Sequence, residues 1–426
     1  MMINKILQIW KIKDLRKNIL FILGMLVIFR LAAHIPVPGA DSGALKKFFG
    51  ETQVLGLLNI FSGGGMENFS IVMMGIAPYI TSSIIFQLLA MIIPALEEMQ
   101  KEETGRQKIN MWTRWFTVPL AALQAFGMIT ILRNSPASIL REVTVFDLLS
   151  MIVVITAGTI FLMWIGEMIT EKKIGNGISI LIFSGIVANL PQKISQTIVN
   201  YNSSDLFTFI AFAIIAIITV VGVVYITEAQ RNIPVQYAKQ IRGGRMYGGT
   251  ATHLPLRVNM AGVIPIIFAI SVVLFPPMIA QFFTHAKTQW IANFAVWVQE
   301  IFNPNGVFYL IAYFVLVFAF TFFYTEVVFH PTQISENLQK QGGFIPGIRP
   351  GKHTSDYLAN TTYKIIFVGA LFLGIIAILP LLLKFVFPNI QSLVVGGTSL
   401  LIVVAVVIEL VKQIESQLTM REYETK

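Results

Sequence analysis

The five histidines would matter first to chemistry, and they stand singly at His34, His253, His285, His330 and His353. A zinc site gathers several nitrogen, sulfur or carboxylate ligands at short spacings. None of the five has a second His within a helical turn, so each reads as a loop or interfacial residue. The chain has no Cys, which removes disulfides, thiol nucleophiles and Cys-based metal clusters. No GxxxxGK[ST] loop, HExxH pair or GxSxG elbow occurs. Nor do the apolar runs hold the paired Asp, or the Ser with His, that an intramembrane protease requires. The expectation is no catalytic residue, no metal and no cofactor, with any energy supplied by a partner.

The elements around those residues belong to lipid. Of 426 residues, 55% are hydrophobic and 12% charged, against about 25% charged in a typical soluble domain. Mean hydropathy is +0.72. A hydrocarbon core of ~30 Å takes roughly 20 apolar residues per helix. Ten runs meet or approach that length: Asn18–His34, Ser70–Ile93, Trp115–Leu132, Leu148–Gly166, Ile178–Leu190, Leu206–Thr227, Val258–Phe283, Val307–Thr325, Ile365–Leu383 and Leu393–Leu410. The fold class read from this is all-α, a polytopic membrane protein.

An even number of spans puts both termini on one side. The connectors on that side carry 23 of the 31 Lys and Arg, so the positive-inside rule assigns them to the cytoplasm. The same bias accounts for the net charge of +9 without nucleic acid. The first 17 residues alternate Lys and Arg with Ile, Leu and Trp, an amphipathic pattern suited to an anionic leaflet. No small-residue cleavage site follows, and a cleavable signal is not expected. Two cytoplasmic connectors, about 228–257 and 326–364, exceed what a helix turn needs. Their Gly, Pro and Arg content reads as docking surface over floppy linker.

Ionisable residues inside a bilayer usually mark ion or proton pathways. Here the spans from Ser70 onward stay clean until Glu409, which argues against ion-coupled transport. Two stretches break the helical pattern instead. In the first, an apolar half-helix from about Leu55 meets Gly63, Gly64 and Gly65, then Glu67 and Asn68, before a full span. Irregular backbone at this depth needs protein or a water-filled cavity around it, so it is either a packing turn or a movable element hinged at the glycines. In the second, Gly175 and Gly177 flank Asn176 ahead of a short Ile-rich helix. Ile182 and Ile186, like Ile80 and Ile84, are four apart and share a helical face. Spacing alone does not separate them from other lipid-facing or core isoleucines.

Six motifs, in order along the chain, resemble those of the SecY family of protein-conducting channels. They are Gly75–Leu89 (GIAPYITSSIIFQLL), Gly175–Phe183 (GNGISILIF), Arg231–Lys239 (RNIPVQYAK), Thr252–Pro265 (THLPLRVNMAGVIP), Phe344–Gly351 (FIPGIRPG) and Gly396–Val404 (GGTSLLIVV). Gln107, where the family commonly has a basic residue, and the short tail after Met420 depart from the pattern.

The resemblance implies two inverted five-helix halves, residues 1–200 and 201–426, around a central pore. It implies a pore ring of Ile80, Ile84, Ile182, Ile186, Ile267 and Ile402, which would exclude water and ions by dewetting. A plug would occupy about 55–69, with Asn59, Ile60, Phe61, Ser62, Gly63, Gly64, Gly65, Met66, Glu67 and Asn68 at its heart. A lateral gate would carry Thr81, Ser83, Gln87 and Asn259, hydrogen-bonding across it. Arg242, Arg245, Arg257 and Arg349 would dock partners. The implied partners are SecE and SecG subunits, the SecA ATPase, the ribosome with its RNA and exit-tunnel proteins, unfolded preproteins with their signal sequences, and membrane lipids. The implied place is the bacterial cytoplasmic membrane. The rival reading is a multi-span secondary transporter for a small neutral substrate, and a membrane-embedded enzyme ranks behind it.

Overall fold

The computed structural model describes residues 12–38, 43–45, 59, 62–133, 140, 144–199, 206–237, 240–242, 245–247, 251–284, 288–303, 306–386 and 391–424. Ten helices follow the ten apolar runs in order. They are α1 (Lys13–Ala32), α2 (Ala77–Ile92), α4 (Glu103–Arg133), α5 (Val145–Glu171), α6 (Gly177–Val199), α7 (Leu206–Glu228), α8 (Ile264–Phe283), α10 (Val307–Val328), α12 (Lys352–Val386) and α13 (Gln391–Glu424). Among the described residues, shorter helices α3 (Pro94–Lys101), α9 (Gln289–Ile301) and α11 (Pro331–Lys340) stand between them. Helix α3 continues α2 after a bend of 106°, placed where Pro94 opens the new helix and lacks the N–H that would continue the old one.

Two spans start later than their apolar runs. The run read from Ser70 becomes helical only at Ala77, because Ser70 bridges to Pro36, residues 71–76 form turns and Gly75 takes a φ of 57°. The run read from Val258 becomes helical at Ile264, after Gly262 at φ 64°. Hydropathy marks apolar chain whatever its backbone does, so it overran both starts.

The spans pack in two groups. Within the first, α2 lies on α4, α4 on α5, α5 on α6, and α1 on α5 and α6. Within the second, α8 lies on α10, α10 on α12, α12 on α13, and α7 on α12 and α13. The principal contacts between groups are α2 and α4 against α8, and α6 against α13.

The long connectors hold a feature the all-helical reading passed over. Strands β1 (Gln230–Tyr237), β2 (Gln240–Arg242), β3 (Arg245–Tyr247), β4 (Ala251–Arg257) and β5 (Gly343–Phe344) build two small antiparallel sheets. In one, β1 is central, pairing β4 over Gln230↔Arg257 to Gln236↔Ala251 and β5 through Gln236↔Phe344 and Tyr237↔Gly343. Ile233 and Val235 point inward from β1 at the two-residue period of a strand and join Leu256, Ile345 and Leu358 in a separate apolar core. The two connectors are therefore one folded platform.

Candidate functional site

The six isoleucines come from four helices far apart in sequence: Ile80 and Ile84 on α2, Ile182 and Ile186 on α6, Ile267 on α8 and Ile402 on α13. Each is between 1 and 5% exposed, and all fall in one apolar cluster. Lipid-facing side chains in this fold look different, since Trp115 on α4 is 73% exposed. In hydrocarbon there is little hydrophobic drive to bury one aliphatic chain against another, so convergence of this kind reports fit between helices.

Above that cluster the chain turns through the three glycines. Gly63 and Gly64 adopt φ of 67° and 84°, a region costly to residues with a Cβ. Space is short as well: a Cβ on Gly63 would lie 2.8 Å from Phe29 Cζ and 3.2 Å from Gly185 Cα. Since Gly185 precedes Ile186, the turn rests beside the isoleucine cluster. Asn59 is buried and organises the turn. Its Oδ1 accepts from the Glu67 N–H at 3.1 Å, and its carbonyl accepts from Gly64 N–H at 2.9 Å and Ser62 Oγ at 3.0 Å. Met66 and Phe69 are buried in a second core with Met128, Ile129 and Ile155 of α4 and α5. Ile60, Phe61 and the half-helix expected from Leu55 lie outside the described residues, apart from Asn59.

Sequence reasoning missed Arg30. From the end of α1 its Nη1 donates to the Gly63 carbonyl at 2.6 Å, and Asn68 Nδ2 donates to the Ala33 carbonyl at 3.4 Å. The connectors before α2 and after α1 also pair, with Val37 N–H donating to Phe69 O at 2.7 Å and Ile71 N–H to Ile35 O at 3.0 Å. The signal was available: an Arg closing an apolar span wants an acceptor, and the glycine turn is rich in carbonyls. Close approach is built in elsewhere too, since a Cβ on Gly158 of α5 would sit 1.9 Å from the Ile71 carbonyl oxygen.

Among the described residues, the four expected to hydrogen-bond across the gate make no bond across it. Thr81 Oγ1 donates to Ala77 O at 3.0 Å, Gln87 Nε2 to Ser83 Oγ at 2.9 Å, and Asn259 Nδ2 to Gly262 O at 3.3 Å. Each bond closes within its own segment because an acceptor one helical turn away, or across a tight turn, is nearer than another helix. Gln87 Oε1 and Asn259 Oδ1 are left buried without a partner among the described residues. Between α2 and α8 the groups brought together are mostly apolar. A cavity of about 40 Å³ between α2 and α8 is lined by Ala77, Ile80, Thr81, Ile270, Ser271 and Leu274 among others. A larger one of about 570 Å³ opens between Ser83, Gln87 and Arg106 on one side and Tyr324, His330 and Asn337 on the other.

A second cross-group contact sits at α6 and α13. Gln413 accepts from the Gly175 N–H, and Gln417 Nε2 donates to the Lys173 carbonyl at 2.6 Å. These glutamines were also missed, for polar residues in a tail past the last span carry no pattern.

The arginines sit at the platform. Arg257 ends β4 and is exposed. Arg349 is exposed on a turn pinned by Thr354 Oγ1 donating to its carbonyl at 2.8 Å and by Ser335 Oγ donating to Gly351 O at 2.7 Å. Arg242 and Arg245 face each other across the β2–β3 pairing, and their side chains lie outside the described residues. On nearby α3, a hydrogen bond from Lys101 and its charge hold the exposed Glu97 carboxyl below the usual range. Among the described residues no group of three or more His, Asp or Glu is gathered as metal ligands.

Comparison with known proteins follows the same outline. The family model described as SecY matches residues 70–411. The protein translocase subunit SecY of Halalkalibacterium halodurans is 45% identical over 435 residues, covering 99% of each chain. That of Streptomyces galbus is 41% identical over 441 residues with the same coverage. Among solved structures, "The structure of a protein conducting channel" superposes with a TM-score of 0.65 at 16% identity, over 93% of this chain and 91% of that one. "Sec61 in the Canine ribosome-channel complex from the endoplasmic reticulum" gives 0.63 at 17% identity, with the same two coverages.

Proposed function

This chain belongs to the SecY family, and on that premise we propose how its parts work as a protein translocation channel. It is a membrane protein and a channel subunit, not a catalyst. Unfolded preproteins pass between the two groups of spans, and hydrophobic signal sequences leave sideways between α2 and α8. The small-solute transporter is disfavoured, because relatives over the whole length are translocase subunits.

The observation that supports the site is the burial of all six isoleucines in one cluster. An apolar constriction needs no charged selectivity element, since a narrow greasy ring keeps water and ions out by dewetting. The glycine turn at 62–69 is the plug over it. The halves divide near residue 200, with Thr81, Ser83, Gln87 and Asn259 flanking the gate. The platform carrying Arg242, Arg245, Arg257 and Arg349 docks SecA or the ribosome, because a guanidinium fork binds phosphate and carboxylate alike. SecE and SecG complete the complex in the bacterial cytoplasmic membrane, both termini inside. Relatives solved with ribosomes are consistent with that docking.

The native chain has no Cys, so single cysteines at 80, 84, 182, 186, 267 and 402 can each be crosslinked to a preprotein arrested midway. Crosslinks at all six are expected. Reaction at lipid-facing control positions such as 115 or 217, with silence at most of the six, would remove the ring.

A further inference from the structure

Helix α9 presents three faces to three environments. Trp290, Phe294 and Trp297 are 70, 56 and 54% exposed, and at 100° per residue they fall within about 60° of arc. Phe294 and Trp297 stack with ring centroids 5.7 Å apart. A second face packs on α8, with Ala295 buried. The third is exposed and mainly polar, formed by Gln289, Asn293 and Glu300 with Val296 at its far edge.

Chain topology says what meets the aromatic ridge. Helix α9 connects α8 to α10, two spans packed side by side. Their other ends lead to β4 and α11 of the platform, so α9 lies at the opposite end, where the spans leave the bilayer. Lipid-facing surface runs up to it, since Phe275, Ile279 and Phe283 of α8 and Val307, Phe308 and Ile311 of α10 are all exposed. Trp and other aromatic side chains favour the boundary between acyl chains and headgroups. A helix with one apolar and one polar exposed face lies in that plane.

We propose that α9 is an interfacial anchor. Its aromatic ridge sits in the leaflet opposite the platform, its polar strip faces water, and it tethers the outer end of α8 to lipid. Recognition is apolar rather than ionic, because α9 contains no Lys or Arg. The proposal needs only the membrane spans and stands apart from the pore reading.

The test uses the intact translocase carrying Phe294→Cys, Trp297→Cys or Asn293→Cys, each labelled with an environment-sensitive fluorophore. It is reconstituted in phosphatidylcholine vesicles, with and without added anionic lipid. Labels at 294 and 297 should emit to the blue and be quenched several-fold more by lipids brominated near the headgroup than by aqueous iodide. The label at 293 should show the reverse, and anionic lipid should change neither. Iodide access at all three positions would overturn the proposal in favour of a water-exposed helix. Shielding from both quenchers would overturn it in favour of a protein partner, and quenching that needs anionic lipid would overturn the apolar basis. If Phe294→Cys or Trp297→Cys fails to fold, Trp290→Cys replaces it, and Gln289→Cys replaces Asn293→Cys.

Discussion

At the scale of single residues, the proposed ring is made of side chains that offer water nothing. Ile402 is 1% exposed in the common cluster. An amide placed there without a partner costs about 1–3 kcal/mol, and admitting water relieves the cost by opening the ring. Ile402→Asn is therefore expected to raise export of a reporter with a crippled signal sequence, while Ile402→Val leaves selection unchanged. If the residue faced lipid, the same change would lower the amount of inserted channel and leave selectivity as it was. Arg30 acts on the neighbouring layer. A hydrogen bond to a charged group contributes about 1.5–3 kcal/mol, roughly a ten- to hundredfold bias toward the seated turn at 1.4 kcal/mol per decade. Arg30→Gln should then raise resting ion conductance in planar bilayers, and Arg30→Lys should recover part of the seal. Equal conductance in wild type and Arg30→Gln would show that the bond to Gly63 does not hold the turn.

At the scale of elements, the glycine turn is stapled from several sides yet contains little regular structure of its own among the described residues. Local bonds through Asn59, Ser62 and Ser70 hold it together, while Arg30, Ala33, Val37 and the seating of Met66 and Phe69 hold it in place, so on the plug reading those outer contacts are what must give. Deleting Asn59–Asn68 should leave an assembled channel with raised resting conductance, and a tight deletion mutant would count against the plug. The platform behaves differently, being a folded unit with its own core. Arg349→Glu should stop motor-driven export while channel insertion stays normal; unimpaired export would take Arg349 off the docking surface. The contrast explains what the sequence could and could not disclose. Span order was legible because each run carries its own hydropathy, and the glycine turn because Gly63 to Gly65 break a span visibly. The β1–β5 pairing was not, since it joins segments a hundred residues apart with only Ile233 and Val235 alternating between polar neighbours. Gate hydrogen bonds were misread for the opposite reason: Gln87 and Ser83 looked like cross-helix partners, but at four residues apart they satisfy each other first.

At the scale of the whole molecule, the two groups of spans meet through two unlike contacts. At α6 and α13 the contact is polar, with Gln413 and Gln417 bonded to the backbone at Gly175 and Lys173. At α2 and α8 it is mostly apolar, and hydrogen bonds across it are missing among the described residues. With no hydrogen bonds to break, the second contact is the easier one to part, and an incoming apolar helix, whose backbone is satisfied within itself, loses little by displacing it. The small cavity between Thr81 and Ser271 marks where packing is already incomplete. Joining the groups there should separate gating from sealing. In the Cys-free chain, Thr81→Cys with Ser271→Cys, linked by a short bifunctional maleimide, should block export of signal-bearing chains while resting conductance stays at the wild-type level. Either cysteine alone, treated the same way, should export normally. Export that continues through the linked channel would mean that α2 and α8 do not part during transport, and the route for apolar segments would have to lie elsewhere in the molecule.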